Sequence, residues 1–133
     1  MGTRSMVGVM LPDGYCRAVY VHWDGYLDGV GAGLQEYKTQ AEVEALIAPG
    51  DRSSLTEGFY KDRGEDGVDP LEYKSFDEFY KAVDGCWGEY YYLFKDGVWY
   101  CGDTYGTTPI SKKLVPYAEA VELIAKHRAE QYE

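Results

Sequence analysis

The sequence predicts an α+β fold: a mainly antiparallel sheet of about four strands in two hairpins, with three or four helices packed on one of its faces. Three observations carry this expectation. Two strand-forming stretches are each broken by a turn signal, two capping boxes precede apolar stripes of helical period, and no repeat or linker divides the 133 residues. At roughly 100–200 residues per domain, the chain is expected to be one domain, 1–133.

Residues 6–11 are apolar and β-permissive, Pro12-Asp13-Gly14 supplies a turn, and residues 15–23 alternate with Tyr15, Arg17, Val19, Val21 and Trp23 on one face. This is the first hairpin. A short helix from Asp28 has Val30, Leu34 and Tyr37 in register, but Gly29, Gly31 and Gly33 oppose it, each costing about 1 kcal/mol against Ala. Thr39-Gln40-Ala41-Glu42 is a capping box, Val43, Leu46 and Ile47 form the stripe that follows, and Pro49-Gly50 stops it. Residues 51–74 keep neither a period of 2 nor one of 3.6 and read as a long irregular connection, long enough to hide a short strand or a functional loop. Ser75-Phe76-Asp77-Glu78 is the second capping box, and Phe76, Phe79, Tyr80 and Val83 make an amphipathic helix that ends at Gly85. Asp96-Gly97 between the aromatic runs 90–95 and 98–101 predicts a type I′ hairpin. The tyrosines of Tyr90-Tyr91-Tyr92 must occupy both sheet faces, one expected in the core and the other exposed. Thr108-Pro109 suits a helical turn, and Pro116 opens a terminal helix with a stripe of Tyr117, Val121 and Ile124.

The chain carries 23 acidic and 13 basic residues, a net charge of −10, so its overall field opposes long nucleic acids. Half of that charge lies in residues 61–96, with ten acids against five bases. There Asp62, Glu65, Asp66 and Asp69 are candidate contacts for a basic partner surface, although the interleaved Lys61, Arg63 and Lys74 equally fit a solvated face. No run of 18 apolar residues and no basic-then-apolar leader stands in the sequence, so no membrane span or signal peptide is expected, and the default compartment is the cytoplasm. Cys16, Cys86 and Cys101 form no CxxC pair, and with only His22 and His127 they make no zinc set; reduced thiols and no cofactor are expected.

The densest candidate site is His22-Trp23-Asp24-Gly25-Tyr26, where a strand runs into a loop. In an antiparallel hairpin the start of one strand lies beside the end of its partner, which brings Arg4 and Ser5 to the same place. Arg4, Ser5, His22, Trp23, Asp24 and Tyr26 then form a candidate ligand site. Arginine grips a phosphate or carboxylate in bidentate fashion, histidine donates or accepts, and Trp and Tyr stack on a base. A plain structural corner uses the same residues, with Trp23 and Tyr26 in the core and Arg4 paired to Asp24. Catalytic patterns are weaker. Ser5, His22 and Asp24 lack a strand-turn-helix elbow, and Cys16 stands about 20 Å from His22 along a strand. Gly29-Val30-Gly31-Ala32-Gly33 has the wrong spacing for a dinucleotide loop, and residues 62–69 lack the order of a calcium loop.

Gly2-Thr3-Arg4-Ser5, the Asp13-Gly14 turn, His22-Trp23-Asp24-Gly25-Tyr26, residues 34–37 and residues 92–99 together resemble a family of small uncharacterised proteins of bacteriophages and prophages. The resemblance covers most of the chain and implies origin; it carries over no catalytic residue. Small acidic phage proteins of this kind are expected to be non-enzymatic accessory binders that inhibit or sequester a component of bacterial antiviral defence in the host cytoplasm. The partner would be a host defence protein or a small nucleotide signal, and a homo-oligomer is compatible with such a role. The competing expectations are a nucleotide-processing enzyme using His22 and Asp24, and a structural or regulatory phage protein.

Overall fold

The computed structural model describes residues 3–54, 58–59 and 69–131. The fold is α+β, with four α-helices and a mixed sheet. The first hairpin joins β1 (Ser5–Met10) to β2 (Cys16–Val21) with Ser5 opposite Val21. Beyond it a π turn at Leu27–Gly31 runs into α1 (Ala32–Leu34), so the glycine-rich segment makes only a short, irregular helix. Next come α2 (Gln40–Ile47), β3 (Arg52–Ser54), β4 (Gly58–Phe59) and β5 (Leu71–Tyr73). They are followed by α3 (Phe76–Gly85), then the hairpin of β6 (Tyr90–Lys95) and β7 (Val98–Asp103). The chain closes with β8 (Val115–Pro116) and α4 (Tyr117–Gln131).

Both hydroxyl N-caps of the expected capping boxes form, while the carboxylate of each box meets the Thr39 hydroxyl or the Lys74 amide rather than the N-cap amide itself. The Thr39 hydroxyl accepts the Glu42 amide at 3.2 Å, and the Ser75 hydroxyl accepts the Glu78 amide at 3.2 Å while the Glu78 carboxylate takes the Lys74 amide at 3.0 Å. Asp96 and Gly97 both take positive φ, as a type I′ turn requires. In α4 the inward residues are Ala120 and Ile124, whereas Val121 of the expected stripe is exposed.

The expected sheet of about four antiparallel strands needs correction. Among the described residues eight strands pair in the order β4-β3-β2-β1-β6-β7-β8, with β5 on the free edge of β2, and β1 runs parallel to β6 at its centre. Three of the extra strands, β3, β4 and β5, lie within the stretch that reads as irregular. Helices cover both faces rather than one. On one side α2 and α4 bury Val7, Val9, Val21, Tyr92 and Phe94; on the other α3 buries Met6, Cys16, Ala18, Tyr91 and Leu93 beneath Phe79 and Val83. A strand covered on both faces has no solvent side, so Tyr90, Tyr91 and Tyr92 are all buried.

Candidate functional site

Parallel pairing of β1 with β6 brings four chain ends together at one edge of the sheet: the starts of β1 and β6 and the ends of β2 and β7. Backbone bonds lock them. The Gly25 amide donates to the Thr3 carbonyl at 2.8 Å, the Glu89 amide to the Arg4 carbonyl at 2.8 Å and the Thr104 amide to the Glu89 carbonyl at 3.0 Å. Two phenols, one buried and one half-buried, hold the loop after β2 from beneath, for the Tyr92 hydroxyl donates to the Gly25 carbonyl at 2.7 Å and the Tyr117 hydroxyl to the Leu27 carbonyl at 2.8 Å. Gly25 is required because a Cβ there would sit 2.7 Å from the Cβ of Ser5. Asp24 takes φ of +60°, a conformation that Asp tolerates, and its carbonyl receives the Val30 amide at 2.7 Å.

Hairpin geometry brings the six candidate residues to this end, and strand alternation then divides them. Ser5 points with Val7 and Val9 to the α2/α4 face and is fully buried beneath Gly25, closed to any ligand. Arg4, one residue before β1, falls by strand alternation on the other face, that of Met6 and α3. The Tyr20 hydroxyl lies 2.7 Å from His22 Nδ1, and the His22 ring meets Trp23 edge-on at 4.7 Å between centroids. At the loop tip the Tyr26 hydroxyl donates to Asp24 at 3.2 Å, and this bond to a carboxylate raises the phenol's pKa. Among the described residues no ion pair joins Arg4 to Asp24, and Trp23 and Tyr26 are 42% and 39% exposed rather than core. Of the acidic set, Asp69 is exposed beside β5; Asp62, Glu65 and Asp66 lie outside the described residues.

Two further aromatic residues stand at this end that the sequence does not single out. Trp87 is 78% exposed and sits just past α3 with φ of +64°, inside a turn closed by the Gly88 amide on the Val83 carbonyl at 2.8 Å. Left-handed backbone costs an L-residue roughly 1–2 kcal/mol and is ordinarily given to glycine. The local signal is a bulky residue between Gly85 and Gly88, either of which the sequence offers for that position. Tyr105, 46% exposed, packs edge-on against Tyr90 and donates to the Glu89 carboxylate at 3.2 Å. Its loop is organised by buried Asp103, whose carboxylate accepts the Thr108 and Ser111 hydroxyls at 2.5 Å each and the Tyr105 amide at 3.2 Å. Trp23, Tyr26, Trp87 and Tyr105 therefore share one end of the sheet, spread over strands β2, β1, β6 and β7, a width of about 14 Å at the ordinary strand spacing.

A cavity of about 340 Å³ opens next to this end. The outer edge of β2 pairs with β5 at Cys16–Ala18 and with β3 at Val21, and the two neighbours diverge between those points. In the gap the Asp51 carboxylate takes the Tyr20 amide at 2.9 Å, replacing a ladder bond. Met6 and Ala18 form the cavity floor, Tyr20 and Tyr73 border it, and Ala82 and Cys86 of the α3 side wall it. Burial pushes the Cys86 thiol up, opposed in part by the backbone amides of Gly88 and Cys86, and the thiol donates to the Val83 carbonyl at 3.3 Å, so it is a neutral lining group. Among the described residues no group of His, Cys, Asp and Glu could hold a metal ion, and no helix is long and apolar enough to cross a membrane. Compared with known proteins, the chain matches no family model, no curated protein and no solved structure.

Proposed function

We propose that this chain is a non-enzymatic binding protein of phage origin that disarms a component of bacterial antiviral defence by capturing it at the aromatic end of the sheet. Trp87 is the observation that carries the reading: a tryptophan 78% exposed in a backbone conformation that favours glycine gains nothing for the fold. Scattered surface aromatics are ordinary, but four of the exposed aromatic side chains gather here, and only Tyr15, at the opposite hairpin turn, stands apart among the described residues. Large rigid rings with little side-chain entropy to lose are the residues that anchor ligands and partners. His22 and Asp24 are each engaged elsewhere, by Tyr20 and Tyr26, which favours recognition over the competing nucleotide-processing chemistry. The defence target is inferred from the resemblance of the Gly2-Thr3-Arg4-Ser5 start and the His22 to Tyr26 run to phage proteins.

Native mass spectrometry of the protein, before and after mixing with lysate from cells with an active defence system, tests this. The expected result is a stoichiometric bound mass, released chemically unchanged on heating and lost in both Trp87→Ala and Trp23→Ala. A turned-over product, or binding and phage protection that survive both substitutions, overturns the proposal.

A further inference from the structure

We infer that the aromatic end of the sheet is a docking surface for a basic protein segment, with arginine side chains of the partner stacked on the exposed rings and paired to the carboxylates beside them. This rests on the binding-protein reading and names the chemistry of the partner. The Gly25 amide bonds to Thr3, the Glu89 amide to Arg4 and the Thr104 amide to Glu89, so the loops that carry Trp23, Tyr26, Trp87 and Tyr105 are tied side by side. These loops, residues 22–28, 84–89 and 103–106, hold Asp24, Asp28, Asp84, Glu89 and Asp103 and not one Lys or Arg, in a chain with 13 such bases. Asp103 is buried and engaged by Thr108 and Ser111, whereas Asp24, Asp28 and Asp84 are exposed and Glu89 is half-buried. Two of these carboxylates already stand against rings of the surface, for the Tyr26 hydroxyl donates to Asp24 at 3.2 Å and the Tyr105 hydroxyl to Glu89 at 3.2 Å. Among the described residues Asp24, Asp28, Asp84 and Glu89 form no ion pair, while Glu72 and Asp77 elsewhere do. Arg4, half-buried at the start of β1, offsets one of the four charges, and the Lys112 ammonium is turned onto the Tyr80 ring. A ring beside a carboxylate without a base suits a guanidinium, which stacks flat on the ring and is more weakly hydrated than an ammonium. An anionic nucleotide meets net repulsion here, and a second copy docked by the same face would set like charges opposite each other.

The three tryptophans give the test an internal reference, since each indole N–H has its own signal in a proton–nitrogen correlation spectrum. Trp23 and Trp87 stand on the proposed surface, while Trp99 is buried and donates its indole N–H to the Tyr37 carbonyl at 2.9 Å. The full chain is titrated with a synthetic peptide of alternating Arg and Gly, with the same peptide carrying citrulline in place of arginine, and with GMP. The arginine peptide is expected to shift the Trp23 and Trp87 signals saturably and to leave that of Trp99 in place. The citrulline peptide, its uncharged isostere, should bind about tenfold more weakly, and GMP should leave the indoles unmoved. Trp87→Ala should weaken the arginine peptide about fivefold, the worth of one exposed cation–π contact, and Trp23→Ala serves in its place should that variant fail to fold. Asp24→Asn with Glu89→Gln keeps an acceptor for both phenols, removes both charges, and should weaken the peptide by a similar factor. Glu122→Gln, an exposed change on α4, should leave its affinity unchanged. No saturable shift of either indole, equal affinity for the two peptides, or indole signals moved by GMP overturns the inference. Indoles that respond to GMP would keep the binding-protein reading and make its partner the nucleotide signal. If no probe binds while Trp87→Ala still abolishes capture from lysate, the basic partner falls and the binding-protein reading stands.

Discussion

Trp87 concentrates the tension between stability and function in one residue. Its ring is 78% exposed, so truncation removes little buried area, while its φ of +64° carries the strain of a Cβ in left-handed backbone. Replacing it with glycine relieves that strain but restores freedom to the unfolded chain, which offsets roughly 0.5–1 kcal/mol of the gain. Trp87→Gly is therefore expected to match or exceed the parent in urea unfolding, by up to about 1 kcal/mol, and to lose capture of its partner. A clear drop in the unfolding midpoint would instead make the indole a structural residue, and the aromatic end would lose its main support. Asp24, also at positive φ, does not carry the same weight, because an aspartate tolerates that conformation and its carbonyl is used by Val30.

Local chemistry governs the helices, and α3 shows how one cap reaches the site. Only Phe79 and Val83 of α3 are fully buried, yet among the described residues this is the helix that covers the second sheet face, and it walls the cavity through Ala82 and Cys86. Ser75→Ala removes the acceptor of the Glu78 amide and should cost about 1 kcal/mol, with Ser75→Asp restoring it. Amide exchange in α3 should rise in the alanine variant and recover in the aspartate one; equal exchange in both would place the helix's stability in packing alone. This cap was legible in the sequence because every atom it uses lies within five residues, as was the Asp96-Gly97 turn. The juxtaposition of Arg4 with the His22 loop was legible for a related reason, since a short hairpin fixes its own register. Trp87 and Tyr105 were not, because they reach the site only through the pairing of Ser5 with Tyr90, which no local pattern specifies. The same non-local pairing hid the sheet's second helical cover and made the tyrosine run look half exposed. β3 and β5 were hidden because each is three residues long, too short to establish a period.

At the scale of the whole molecule, both cores hold acidic protons out of water. Burial pushes Cys16, under α3, up to about 12 and Cys101, on the opposite face, up to about 12, and raises the phenols of Tyr91 and Tyr92 in the same direction. Each group binds its proton more tightly folded than unfolded. Their contribution to stability is thus intact below the unfolded thiol value of 9.0 and is lost as pH rises through the folded value. By pH 10 the loss should be roughly 1.4 kcal/mol per thiol, with the tyrosines adding to it above that pH. Added negative charge on a chain already at −10 acts in the same sense through self-repulsion, and salt distinguishes the two because it screens only the second. Urea midpoints measured from pH 7 to 11 in high salt are therefore expected to stay level to about pH 9 and then fall. Cys101→Ala should start from a lower plateau because of the cavity it leaves, and then fall less steeply between pH 9 and 10. A wild-type midpoint still level at pH 10.5 would mean that water reaches these thiols, and a sheet sealed on both faces by helices could not then be its native packing.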